Sequence, residues 1–270
     1  MSDKLENNSE LICVIPAAGK SSRFKKSNKI FEPIDDEVYA LLIVAAALME
    51  IGVVNKILVG YDEKSEEIRD FIELIKSNQD DSNEDNIAFK KFDFVKGGNT
   101  RQETVNNCLK YIKQINKNRE NTWILVHDAA RPCLPIYDFL KFINKTIDCN
   151  TSSIMAMPIS DTIKKVDSDF KISSTVSREN MWVAQTPQMF KFDVLYESLN
   201  HCIGNNISVT DESQALEILG HTCRVHIGPT YNIKITHDAD MPLVKCICNH
   251  VVDYSIEAQD YEIEEYNDED

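Results

Sequence analysis

Five short apolar runs, rich in β-branched residues, punctuate the first part of the chain: LICVI (11–15), KILVGY (56–61), FDFV (92–95), WILVHD (123–128) and SSIMAMPI (152–159). Between them the apolar positions recur three and four apart near residues 39–51, 64–77, 102–114 and 136–147, the spacing of amphipathic helices. Runs of strand and helix in this alternation predict an α/β fold of Rossmann-like type, a mostly parallel sheet with helices on both faces. Sheets of that kind bind ligands at the C-terminal ends of their strands, where Pro16–Arg23 and Asp128–Pro132 fall. Two segments break the rhythm. NQDDSNEDN (78–86) reads as a polar surface insertion, and residues 161–180 (TIKKV, FKI, TVSRE) alternate as a β-hairpin arm would. A lone hairpin is marginally stable in water, so the arm is expected to lean on a second subunit.

The turn after the first strand reads PAAGKSSR, small residues followed by the cations Lys20 and Arg23, with Lys29 soon after. Ala17, Ala18 and Gly19 allow a ligand to approach the backbone, and the cations neutralise anionic oxygens held there. Gly19-Lys20-Ser21 is not a P-loop, because the glycine required five positions earlier is Val14. Ser21 and Ser22 likewise exclude a dinucleotide-binding fingerprint. Gly97-Gly98-Asn99-Thr100-Arg101 opens a helix at about Gln102 and forms a second candidate anion- or base-contacting loop. Asp128 ends a wholly apolar strand at the ligand edge, where it can hold Mg²⁺ directly or through water, or pair with Arg131. His127, on the opposite side of the strand, is structural. Thr210 reads as the N-cap of a helix that starts with Asp211 and Glu212 and stops at Gly220. Residues 232–236 (NIKIT) read as a short strand carrying the cation Lys234.

Composition narrows the functional classes. Formal net charge is −15 over 270 residues, and Asp253 to Asp270 holds nine acids with no Lys or Arg. That tail is expected to be a solvated, disordered extension, and the balance argues against nucleic acid as a partner. The longest apolar stretch, Tyr39 to Met49, is too short to span a bilayer, and the first ten residues lack a signal core, so no membrane and a cytoplasmic location are expected. Eight cysteines stand without a CxxC pair, as expected of reduced, packed thiols.

The ordered set PAAG-x-x-x-R with Lys29, GGNTRQETV, VHDAARP, DTIKKV, TVSREN, AQTPQMF, TDESQALE and NIKIT resembles the 2-C-methyl-D-erythritol 4-phosphate cytidylyltransferases from about Ile12 to Leu243. The resemblance implies one cytidylyltransferase domain over 11–250, between a flexible N-terminus (1–10) and the acidic tail (251–270). It implies transfer of CMP from CTP to a methylerythritol phosphate with Mg²⁺, in a homodimer whose arms reach the partner's site. Arg23, Lys29, Asp128 and Lys234 match the catalytic positions. Pro16, Ala17, Ala18, Gly19, Gly97, Gly98, Asn99, Arg101, Thr104 and Ala129 are the nucleotide-binding candidates. Arg131, Thr162, Arg178, Thr186, Thr210 and Thr236 are the candidates for the polyol phosphate. The chain departs from the family at Ser21, Asn28, Asn99 and Thr104, and its first loop is one residue shorter. Two other readings remain: a ribitol-phosphate cytidylyltransferase, and a non-catalytic relative acting through its acidic tail.

Overall fold

The computed structural model describes residues 9–19, 28–79, 84–117 and 119–257. In chain order the elements are β1 (Glu10–Pro16), β2 (Pro33–Asp35), β3 (Val38–Tyr39), α1 (Ala40–Glu50), β4 (Val54–Tyr61), α2 (Glu66–Gln79), β5 (Phe92–Lys96), α3 (Arg101–Ile115), β6 (Thr122–Val126) and α4 (Ile136–Cys149). They continue with β7 (Ser153–Pro158), β8 (Ile163–Val166), β9 (Ile172–Val176), β10 (Trp182–Lys191), α5 (Phe192–Gly204), α6 (Glu212–Ile218), β11 (Arg224–Ile227) and α7 (Met241–Glu257). Seven strands form one sheet in the order β11-β7-β10-β6-β1-β4-β5. Within that sheet only β10 runs antiparallel to its neighbours; β1 pairs in parallel with both β4 and β6.

Alternation along the strands divides the core between the two faces. Leu11, Cys13 and Ile15 of β1 and Trp123 and Leu125 of β6 face α1, α2, α4 and α7. Ile12 and Val14 of β1 and Ile124 and Val126 of β6 face α3, α5 and α6. Burial on both sides explains why these strands read as continuous apolar runs. The same alternation sends His127 toward α4, where its ring packs on Phe139 at 4.8 Å between centroids. Asp128 emerges on the α3 side, within reach of Arg101.

Three sequence expectations are corrected. Residues 232–236 form no strand: the Ile235 N–H donates to Ala130 O (2.9 Å) and the Asn232 N–H to Pro229 O, so loops rather than a sheet neighbour satisfy this backbone. The N-cap of α6 is Asp211, whose carboxylate accepts from Gln214 N, while Thr210 sits one residue outside with its N–H and hydroxyl on Gln214 Oε1. The polar insertion is partly helical: α2 runs on to Gln79, and a 3-10 helix spans Glu84–Lys91.

The arm is a two-stranded antiparallel sheet of its own, β8 against β9. Asp167 closes its turn by accepting from the N–H groups of Asp169 and Lys171. Apolar side chains stand in solvent along it, among them Phe170 (87 % exposed) and Ile172 (65 %). Among the described residues no helix is long and apolar enough to cross a membrane.

Candidate active site

A cavity of about 420 Å³ opens at the C-terminal ends of β1 and β6. Pro16, Ala17, Ala18 and Gly19 line one wall, and Asp128, Ala129 and Ala130 another. Lys29, Arg101, Thr104, Lys234 and Thr236 also face it. Lys20 and Arg23 lie outside the described residues.

Local structure explains how each cation arrives. Lys29 sits in a turn anchored by the buried Ile30, whose carbonyl accepts from Leu41 N, and its ammonium donates to Ile235 O at 2.7 Å. Lys29 therefore joins the loop after β1 to segment 232–236. Arg101 is the first residue of α3, whose N-cap Thr100 accepts from Glu103 N while the Glu103 carboxylate accepts from Asn99 N. Thr104, one turn on, accepts from Gly98 N and donates to Thr100 O, which locks the Gly97–Gly98 loop onto the helix. Gly97 has no room for a side chain: an added Cβ would stand 2.4 Å from Ala18 Cβ, so the two candidate nucleotide loops touch there.

Asp128 is the electrostatic centre. Arg101 Nε donates to its Oδ1 (2.9 Å), Lys234 Nζ to its Oδ2 (2.6 Å), and Arg131 Nε lies 3.8 Å from Oδ2. Burial alone would raise the Asp128 carboxyl, but Arg101, Lys234 and Arg131 together hold it well below the usual carboxylate range. Arg101 also gives Nη1 to both carboxylate oxygens of the buried Glu212, at 2.7 and 2.9 Å. Arg131 donates through Nη1 to the carbonyl of Asn232 (2.6 Å), and Asn232 in turn donates to Thr186 O.

Behind Asp128 lies a buried relay. The Asp128 N–H donates to Thr186 Oγ1 (3.0 Å), that hydroxyl lies 3.2 Å from His127 Nδ1, and His127 Nε2 lies 3.1 Å from Arg131 O. Each group is satisfied if the imidazole is neutral with its proton on Nε2, the tautomer this network assigns. Burial pushes the His127 pKa down to about 4. The unfolded chain takes up that proton near pH 6.5, so stability is full above pH 6.5 and falls as the pH drops toward 4. The contribution of His127 to this fall, read by urea unfolding at pH 7 and pH 5, is about 2 kcal/mol. In a His127→Gln chain this difference should shrink; an equal pH dependence in both chains would refute the assignment.

Other sequence candidates stand apart from the cavity. Thr186 is buried behind the Asp128 loop, and Thr210 lies at the start of α6. Thr162 and Arg178 are exposed on the arm, away from the cavity of their own chain. Gly97 meets Ala18 of the cavity wall, Gly98 packs against Glu103 of α3, and Asn99 is exposed beside them. Two residues that hold the site are absent from the sequence candidates, Glu212 and Asn232. Helix capping accounts for the first at the level of sequence, and no local pattern marks a buried asparagine whose carbonyl holds an arginine.

The cavity, its cations and its loops can bind a nucleoside triphosphate at a sheet edge, and comparison with known proteins agrees. A model of the family described as 2-C-methyl-D-erythritol 4-phosphate cytidylyltransferase matches residues 11–250. The protein of that name from Acinetobacter baumannii (strain ATCC 17978) is 35 % identical over 242 residues, 88 % of this chain and 93 % of the relative. A crystal structure of 4-diphosphocytidyl-2C-methyl-D-erythritol synthase superposes with a TM-score of 0.73 at 28 % identity, covering 89 % of this chain and 99 % of the other. The Francisella tularensis 2-C-methyl-D-erythritol 4-phosphate cytidylyltransferase structure gives 0.70 at 27 % identity, with coverages of 88 % and 100 %. With most of its length matched at this identity and the same fold, the chain belongs to the 2-C-methyl-D-erythritol 4-phosphate cytidylyltransferase family and is a CTP-dependent nucleotidyltransferase.

Proposed function

We propose that the cavity at the ends of β1 and β6 is where this chain transfers CMP from CTP to 2-C-methyl-D-erythritol 4-phosphate, releasing pyrophosphate. The observation that carries this reading is the convergence of Lys29, Lys234 and Arg101 on one small-residue wall. A phosphomonoester oxygen attacks the α-phosphorus of CTP, an α–β phosphoanhydride bond breaks, and the electron pair leaves on pyrophosphate. Both reactants are polyanions, so positioning and charge neutralisation dominate, and an ionised phosphate needs no general base to attack. Lys29 and Lys234 neutralise the transferring group, with Arg23 the third cation of this set. Ala17 to Gly19 and the Gly97–Gly98 loop hold the nucleotide by close backbone approach.

A divalent cation held by the protein alone does not fit. Among the described residues no three ligating side chains cluster, and both oxygens of Asp128 already accept from cationic donors. The donor set instead suits a magnesium ion that arrives on the triphosphate, which keeps phosphate and water ligands of its own. The MgCTP complex is thus the substrate, and Asp128 orders the cations around it.

The polyol phosphate site draws on the arm. Its exposed apolar residues support a dimer in which Thr162 and Arg178 enter the partner's cavity. Arg178→Ala should then raise KM for the polyol phosphate while leaving KM for CTP nearly unchanged. Mixed with Lys29→Ala chains, it should recover activity, because heterodimers hold one intact site. A monomer in light scattering, or no recovery after verified subunit exchange, would rule out the shared site.

The function itself is tested by turnover with CTP and a panel of polyol phosphates. The expected result is CDP-methylerythritol with stoichiometric pyrophosphate. Faster turnover of ribitol 5-phosphate would favour the alternative substrate, and no turnover of any member would favour a non-catalytic role.

A further inference from the structure

Glu212 lies outside the cavity, yet it is the buried end of a chain of charges that reaches it. Its side chain is 1 % exposed in the first turn of α6, with both oxygens on Arg101 Nη1. Arg101, held there, presents Nε to Asp128 Oδ1, and Asp128 Oδ2 accepts from Lys234 Nζ at the cavity wall. The signs alternate along Glu212, Arg101, Asp128 and Lys234, so each charge is held by a neighbour of opposite sign.

Helix capping does not account for this placement. Asp211 already caps α6, its Oδ1 accepting from Gln214 N at 3.0 Å. An acid that only favours the helix N-terminus has no need to be buried on an arginine 111 residues away. The geometry at Arg101 is informative as well. A guanidinium beside a single carboxylate closes on it as a two-pronged fork. Here Glu212 takes Nη1, on the edge away from Nε, and Asp128 receives Nε through Oδ1, which leaves Oδ2 of Asp128 for Lys234.

We propose that Glu212 is a positioning residue for cytidylyl transfer, holding Arg101 by Nη1 so that the guanidinium takes one oxygen of Asp128 and leaves the other for Lys234 at the reacting phosphate. This rests on the reading of the cavity as the site of transfer. Without the Glu212 carboxylate the guanidinium is free to rotate its Nε–Nη2 edge onto both oxygens of Asp128, and Lys234 loses its anchor.

The test is a double-mutant cycle in the full-length enzyme. Glu212→Gln and Glu212→Asp are made alone and in a Lys234→Ala background, with kcat and both KM values measured for each. Glu212→Gln alone should lower kcat about tenfold or more, the scale of coupling between contacting charges, and change KM for the polyol phosphate less than about twofold. In the Lys234→Ala background the same substitution should lower kcat by less than about twofold, because the group it positions is gone. Glu212→Asp, which keeps the charge, should retain more kcat than Glu212→Gln. Equal fold-losses in the two backgrounds would overturn the proposal, since a merely structural effect is indifferent to Lys234. If Glu212→Gln fails to fold by circular dichroism, the two backgrounds are compared with Glu212→Asp instead: a loss confined to the Lys234 background supports the proposal, and equal losses overturn it. Wild-type turnover, measured alongside, reports on the transfer reaction itself: active wild type with additive losses removes only the role of Glu212, and inactive wild type overturns both.

Discussion

Asp128→Asn should destabilise the protein by about 3–5 kcal/mol, the cost of removing one partner from a buried ionic network. In a domain of this size that corresponds to a fall in melting temperature on the order of 10 °C. The carboxylate is 8 % exposed and lies within 3.8 Å of Arg101, Arg131 and Lys234. An amide removes the anion that Arg101, Arg131 and Lys234 share, leaving Arg101 with Glu212, and its NH₂ group opposes a donor wherever it points. The loss should appear at neutral pH in calorimetry and in urea unfolding. It should grow less severe as salt screens the exposed side of Lys234. An unchanged melting temperature would show that the three cations do not depend on Asp128.

Lys29→Ala should act in the opposite sense, on rate rather than on stability. Its ammonium faces the cavity, and its hydrogen bond to Ile235 O is partly solvated, so the fold should lose no more than about 1 kcal/mol. Charge that develops on the transferring phosphoryl group would then lack one of its preorganised cations. Such a loss lowers kcat by on the order of 10²-fold or more. Because the interaction strengthens in the transition state, kcat and kcat/KM for CTP should fall together. The checking measurement is steady-state kinetics beside the thermal melt of the same preparation. A melting temperature that falls in proportion to activity would refute the catalytic role.

The parts of this molecule that are legible in its sequence are those where one physical rule acts alone. Strands β1 and β6 are buried on both faces, and their uninterrupted apolar residues announce them. The turn PAAG and the carboxylate at position 128 follow because a parallel sheet presents ligands at its strand ends. Strand β10 is hidden, since Gln185, Thr186, Pro187 and Gln188 interrupt its apolar pattern. These polar side chains are buried only because distant groups satisfy them, Gln188 on Asp211 and Thr186 under Asp128. Segment 232–236 alternates like a strand, but its carbonyl at Ile235 is taken by the Lys29 ammonium rather than by a neighbouring strand. Arg101 is legible as a loop cation beside two glycines. Its double grip on Asp128 and Glu212 is not, because partners 27 and 111 residues away leave no trace in local spacing.

CTP is expected to lie in this cavity with its α-phosphate between Lys29 and Lys234. A crystal structure of the enzyme with CTP and magnesium tests it most directly. Phosphate oxygens should stand within hydrogen-bonding distance of both ammonium groups, with the base beside the Gly97–Gly98 loop and Arg101 still held between Glu212 and Asp128. A triphosphate bound elsewhere, or one seated in the cavity with neither lysine on its phosphates, would contradict it.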